Sequence, residues 1–468
     1  MRTRFGLRSV IACLIVITCF LILGVTSASA KTITLEEAYL LAAQNSPQVR
    51  AQHYAVEAAE AQVSEAKYYW APKFSLSSKF GPMPSTSDAQ ESQNDIWSHF
   101  FEDSWGFATR NSLEFWLPLF TSLKVYHTHE LAKIGLAVEE LREENEALNV
   151  RYDVARAYYG LQLAIAAEDV IQEAEGYVER IQKEYDRMME EGSEKVNKTD
   201  QYRIDIAVAN LYRLKDQIHA SRLYAEKALS VHTRLELPIE VVEMDFSDDI
   251  PVLRPYEEIL DYARSHRGDL KLLDCARDAA KLQAKIQWLQ WWPDLVLAGE
   301  ATYRFSNAVP KFTHDNDFYI SDSYNGYGFA LGFVLRWNLD PVSQVFKVRQ
   351  ADARAERMAA QRELAISGIE LEVNKQYYDV DAKRHNVEIT KNSRRAAKRF
   401  LTQELMNYEA GEGDVDKLIA ALTTFIEQRS LYLSALHDYR VGLVRLQIAV
   451  GATDPAQLLL LAPIGVDE

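Results

Sequence analysis

The sequence predicts a mainly α-helical chain with a small membrane β part, built from one plan used twice. Three observations predict it. No proline occurs from 119 to 237 or from 342 to 454, so nothing interrupts two very long helical hairpins. Four stretches switch to every-second-residue alternation, among them "LVLAGEATYRF" at 295–305 and "YGFALGFVLRW" at 327–337, which is strand periodicity. Pro72 and Pro293, which open the two strand regions, stand 221 residues apart, and the same offset carries Glu36-Glu37 onto Glu257-Glu258, Gln62 onto Gln283, Trp70 onto Trp291 and Trp116 onto Trp337.

The first thirty residues read as an export signal: Arg2, Arg4 and Arg8, an apolar core from Val10 to Val25, and Ala28-Ser29-Ala30 as a small-residue cleavage site. The apolar core is short for a spanning helix. Cleavage removes Cys13 and Cys19 and leaves Cys275, so the mature chain has no internal disulfide and no thiolate cluster. It also removes three arginines, taking the formal net charge from −16 to −19. Such an acidic chain is a poor partner for nucleic acid. No apolar run of about twenty residues follows, which leaves an exported soluble protein or one that enters a membrane as β-strands.

The duplication divides the mature chain at 31–254 and 255–468. Each half starts with a helix of moderate length, Thr34 to Trp70 or Pro255 to Trp291. Strands follow at about 73–84 and 104–120, then at about 294–306 and 325–340. The polar segments 84–102 and 306–324 between paired strands are expected to be extracellular loops. Helical hairpins follow, at about 122–237 and 342–450. Ile134, Val138, Leu141, Asn145, Leu148, Tyr152, Ala155 and Tyr159 recur at coiled-coil spacing, as do Phe425, Arg429, Tyr432, Leu436, Tyr439, Leu443, Leu446 and Val450. Gly192 and Gly411 mark the hairpin turns.

Along the strands one face is apolar and the other polar or small. Tyr327, Phe329, Leu331, Phe333 and Leu335 oppose Gly326, Gly328, Ala330, Gly332 and Arg336. Apolar outward and polar inward suits a transmembrane barrel. Trp70, Trp116, Trp291, Trp292 and Trp337 stand where strands meet helices, the height of a bilayer interface. Spacing alone also admits a soluble sheet with one buried face. Four strands cannot close a barrel, and open edges are not tolerated in lipid, so a membrane sheet requires several chains to pool their strands.

Other chemistry is thinly supported. His127 and His129 form a His-x-His pair, read as polar residues on a helix. Asp414-Val415-Asp416 lacks the spacing of a calcium loop. No nucleophile elbow or paired metal motif occurs, so neither enzymatic activity nor a cofactor or metal is expected.

Residues across the mature chain resemble the TolC family of bacterial outer membrane efflux proteins: Asn45-Ser46-Pro47, Ala71-Pro72, Trp116-Leu117-Pro118-Leu119-Phe120, Val154-Ala155-Arg156-Ala157-Tyr158-Tyr159, Tyr408-Glu409-Ala410-Gly411 and Ala449-Val450-Gly451. The resemblance implies a homotrimer in which each chain lends four strands to a shared barrel of twelve, set in outer-membrane lipid above a helical tunnel through the periplasm. It implies a passive exit duct of a tripartite efflux or secretion system, with a periplasmic adaptor protein and an inner-membrane pump of RND, ABC or MFS type as partners. It places adaptor contact and closure at the tips around Gly192 and Gly411. Relatives often carry aspartates on the helix after the second tip turn; the aligned positions here are Lys417 and Ala420, with Asp414 and Asp416 nearby. The rival reading is a soluble periplasmic coiled-coil protein of structural or tethering type.

Overall fold

The computed structural model describes residues 31–85, 105–193, 196–244, 250–308, 324–452 and 458–459. The export signal at 1–30 and most of the two polar loops lie outside the described residues. The chain forms two compact units. One holds the described residues of Met1–His53, Glu143–Gly268 and Ile366–Glu468, and the other Tyr54–Arg142 and Asp269–Ala365.

The elements follow in order as β1 (Lys31–Ile33), α1 (Leu35–Asn45), α2 (Pro47–Lys67), β2 (Lys73–Pro84), β3 (Trp105–Phe120), α3 (Lys124–Glu190), α4 (Lys198–Thr233), β4 (Ile239–Val241), α5 (Tyr256–His266), α6 (Gly268–Leu289), β5 (Asp294–Ser306), β6 (Gly326–Arg336), α7 (Pro341–Glu409) and α8 (Val415–Val450).

Each moderate helix is broken in two, where one continuous helix is expected from the sequence. Pro47 has no amide hydrogen and excludes helical geometry at the preceding residue. Ser46 accordingly turns extended, at φ −62° and ψ 127°, and Pro47 opens α2 as its first residue. The matching break falls at Arg267, φ −64° and ψ 124°, with no proline. Gly268 opens the next helix in close quarters, where a Cβ would lie 2.5 Å from Asn145 Oδ1 on α3.

In the unit that holds β2, β3, β5 and β6, these strands form one antiparallel sheet in that order. Ser122 and Leu123 turn the chain from β3 into α3 with φ of 52° and 66°, a left-handed pair that is uncommon for non-glycine residues. The turn is held by Ser122 Oγ donating to Pro293 O at 3.1 Å and by Lys124, whose Nζ lies 2.8 Å from Trp292 O and 2.9 Å from Asp294 Oδ1. Asp340 accepts from Ser343 N at 3.2 Å and so caps α7, with Pro341 as its first residue.

In the other unit, β1 pairs in parallel with β4. Ile33, Ala38, Val154, Tyr158, Leu161 and Leu229 pack into one core there, and Tyr158 OH donates to Ile33 O at 3.1 Å. A second core draws on α3, α4, α7 and α8, including Ile181, Tyr185, Ile204, Leu401, Tyr408, Leu418 and Phe425. On α8 the coiled-coil spacing predicts burial well: Phe425, Tyr432, Leu436, Tyr439, Leu446 and Val450 are all buried. Arg429 occupies the same seam because it pairs with Glu173 of α3. Among the described residues no helix is long and apolar enough to cross a membrane.

Candidate functional site

The sheet separates its two faces along most of its length, with Ser78, Thr109 and Asn111 interrupting the apolar one. Register sets Leu295 against Leu335, Leu297 against Phe333, Gly299 against Leu331 and Ala301 against Phe329. Across the next pair Phe115 faces Gly299 and Leu117 faces Leu297; across the last, Phe74 faces Phe115, with ring centroids 5.3 Å apart. This face stands open: Leu76, Phe80, Phe329 and Phe333 are each about three-quarters exposed, and Tyr327 is 90% exposed. An exposed apolar surface this continuous marks contact with a membrane or another protein. The opposite face carries Lys79, Arg110, Ser112, Glu114, Glu300, Thr302 and Arg304 on adjoining rungs. β2 and β6 are left as the sheet's edges.

Four of the five junction tryptophans lie on the open surface. Trp70, Trp291, Trp292 and Trp337 are exposed, and Trp337 Nε1 donates to Trp291 O at 3.0 Å. Trp116 is placed differently. Its register partners are Lys73 and Ala298, on the polar face, and the Arg336 guanidinium sits 5.1 Å above its ring. Counting tryptophans also misses the apolar residues beside them: Tyr68, Tyr69, Leu123, Tyr126, Leu339 and Phe346 are exposed at the same junctions.

At the hairpin turns, Gly192 and Gly411 have φ of 69° and 74°, the left-handed geometry in which glycine ends a helix. In each, the next residue reaches back five positions: Ser193 N to Met188 O at 3.0 Å, and Glu412 N to Asn407 O at 2.9 Å. Gly413, which the sequence pattern does not single out, is needed for another reason. A Cβ there would lie 2.6 Å from the backbone of Tyr408.

The acidic tip residues have separate tasks. Asp414 caps α8, accepting from Asp416 N at 2.9 Å. Asp416 pairs with Arg203 Nε at 2.9 Å, and Arg203 Nη1 lies 3.0 Å from Asp200. Asp200 is buried and forms a capping box with Asn197 at the start of α4. One arginine therefore ties the start of α4 to the start of α8. Lys417 and Ala420 are exposed, and no ion pair to Lys417 occurs among the described residues. Behind this link the Tyr408 hydroxyl is buried and makes no hydrogen bond among the described residues. Desolvation, then the charges of Glu184 and Asp200, push it up to about 12. Arg203 does not stand out in the sequence, and Tyr408 does so only as part of Tyr408-Glu409-Ala410-Gly411, although Asn197-x-x-Asp200 is a legible capping pattern.

His127 is buried, and desolvation followed by Lys285 holds its imidazole below the usual range. No group of three potential metal ligands occurs among the described residues.

Long paired helices joined to a four-stranded sheet with an open apolar face define a class of membrane channel in which a β part is extended by a helical body. The chain belongs to the outer membrane efflux protein family: the family profile matches residues 38–229 and 259–452. Its function is that of an outer-membrane efflux channel. Solved structures share the fold. CmeC, the outer membrane channel of Campylobacter jejuni, is 16% identical, with a TM-score of 0.68 over 92% of this chain and 91% of its own. VceC, an outer membrane protein of Vibrio cholerae, is 17% identical, with a TM-score of 0.65 over 89% of this chain and 96% of its own. CusC, studied for transmembrane channel formation, is 13% identical, with a TM-score of 0.68 over 89% and 92%. A sequence search of curated proteins gave no match.

Proposed function

We propose that the protein is a passive trans-periplasmic exit duct. Three copies pool four strands each into one barrel, and the duct receives cargo from an inner-membrane pump through a periplasmic adaptor. The chain performs no chemistry of its own; the pump supplies the energy. The observation that carries this reading is the sheet itself, with its open apolar face and two unpaired edges, β2 and β6. In lipid, unpaired backbone edges are too costly to persist, so the edges of neighbouring chains must meet.

The two halves, 31–254 and 255–468, act as structural repeats in this reading. The polar segments 84–102 and 306–324 face the cell exterior. The four exposed tryptophans belong to the periplasmic-side interfacial belt. Gly192 and Gly411 mark the tips where the adaptor docks and the duct closes, and Asp414, Asp416 and Lys417 contribute to the charge at that constriction.

Membrane fractionation and planar-bilayer recording test the reading together. The expected result is heat-modifiable migration of an outer-membrane species that conducts ions. A wholly soluble periplasmic protein would refute it in favour of a coiled-coil tether, which leaves the apolar sheet face unexplained.

A further inference from the structure

The polar face of the sheet sorts its charges by sign. Register places Lys79 opposite Arg110, and Arg110 opposite Arg304, so three cations cross three strands on one rung. Four residues along, about 14 Å at strand rise, Glu114 lies opposite Glu300. Like charges directly opposite destabilise a sheet. The same sheet makes the favourable choice elsewhere, setting Asp294 opposite Arg336. Exchanging one arginine with one glutamate would turn both unfavourable rungs into favourable pairs. The sequence keeps them sorted by sign.

The cationic rung also has room around it. A concavity of about 390 Å³ is lined there by Lys79, Arg110 and Arg304 together with neighbours that include Phe80, Phe305 and Tyr324. Two guanidinium forks and an ammonium suit a group that accepts several hydrogen bonds and carries more than one negative charge. In a chain of formal net charge −16, a rung of three cations is a local reversal of the field.

We propose that Lys79, Arg110 and Arg304 form a binding site for multivalent anionic groups, phosphate or carboxylate, of solutes passing along the polar face of the barrel. The Glu114–Glu300 rung bounds it on one side by repulsion and keeps the anion on the cationic rung. The proposal rests on the channel reading for the direction of the polar face.

The test is calorimetric titration of the purified assembly with inorganic tripolyphosphate, and with citrate as the carboxylate probe. Saturable binding of at least one is expected. It should weaken at least tenfold in Arg110→Gln/Arg304→Gln, and it should not weaken in Glu114→Gln/Glu300→Gln. Arg110→Lys, which keeps the charge, should retain most of the affinity and covers the case in which the double variant fails to assemble. No saturable binding, or equal binding by the wild type and Arg110→Gln/Arg304→Gln, would overturn the site, as would loss of binding in Arg110→Lys. Loss of binding when phosphatidylglycerol is added would assign the rung to lipid headgroups and overturn it as well. Conductance of the same preparation reports the channel reading separately. Binding without conductance removes the channel and keeps the site, and conductance without binding does the reverse.

Discussion

Tyr408 shows how single side chains at the tip are constrained. Its hydroxyl is buried with no hydrogen-bond partner among the described residues, a cost that leaving out the oxygen removes. Tyr408→Phe should be neutral or stabilising by up to about 1 kcal/mol, measured as thermal unfolding of the assembly. The phenol is pushed up to about 12 by burial first. Its contribution is therefore intact below about 10, the pKa of an unfolded-state tyrosine, and is lost as pH rises towards 12, because the unfolded chain releases its proton first. Tyr408→Phe should flatten that alkaline loss, and an unchanged alkaline profile would contradict the assignment. Arg203 works in the opposite sense. Arg203→Ala leaves buried Asp200 without its cation and cuts the link to Asp416. A loss of about 1–3 kcal/mol is expected, together with more frequent channel opening if this link holds the tips. Lys417 stands exposed beside them. In a constriction lined by carboxylates, Lys417→Asp should raise cation selectivity and tighten block by multivalent cations. Unchanged selectivity and block would remove Lys417 from the pore.

At the scale of elements, the two tip turns resemble each other in backbone but ask different things of their glycines. Gly411 is needed for its left-handed φ of 74°, so Gly411→Ala should cost about 1 kcal/mol. Gly413 is needed for space, since its Cβ would meet Tyr408 backbone at 2.6 Å. Backbone cannot step aside as a side-chain end can, so Gly413→Ala should cost more, about 1–3 kcal/mol. Equal losses in the two variants would show that the turn relaxes around position 413. The same contrast explains what the sequence discloses. Proline-free runs reveal long helices because the rule is local, and alternation reveals the strands because side-chain direction has period two. The break before Pro47 is equally local. The break before Gly268 has no such marker, since no proline stands there. The Arg203–Asp416 pair joins residues from opposite halves of the sequence, and no spacing rule connects them. Trp116 illustrates the converse: its residue type suggests an interface anchor, but its register places it on the polar face beside Arg336.

At the scale of the whole molecule, the account turns on one requirement. The chain supplies a sheet whose apolar face is open and whose edges are unpaired. Lipid satisfies the apolar face, but a single copy cannot pair its own strand edges there. Assembly is therefore part of folding for the membrane portion, and its stability should depend on chain concentration. The formal charge of −16 keeps soluble copies apart, so association is expected to follow from the strand edges and the apolar face and not from a general attraction. The most direct measurement is oxidative cross-linking in native outer membranes, with one cysteine placed along β2 at Ser75, Ser77 or Lys79 and one along β6 at Ala330, Gly332 or Val334. The account predicts that some pairings join neighbouring chains into a covalent ladder that stops at three subunits. A ladder that stops at two, or an inserted chain that stays monomeric in every pairing, would contradict it.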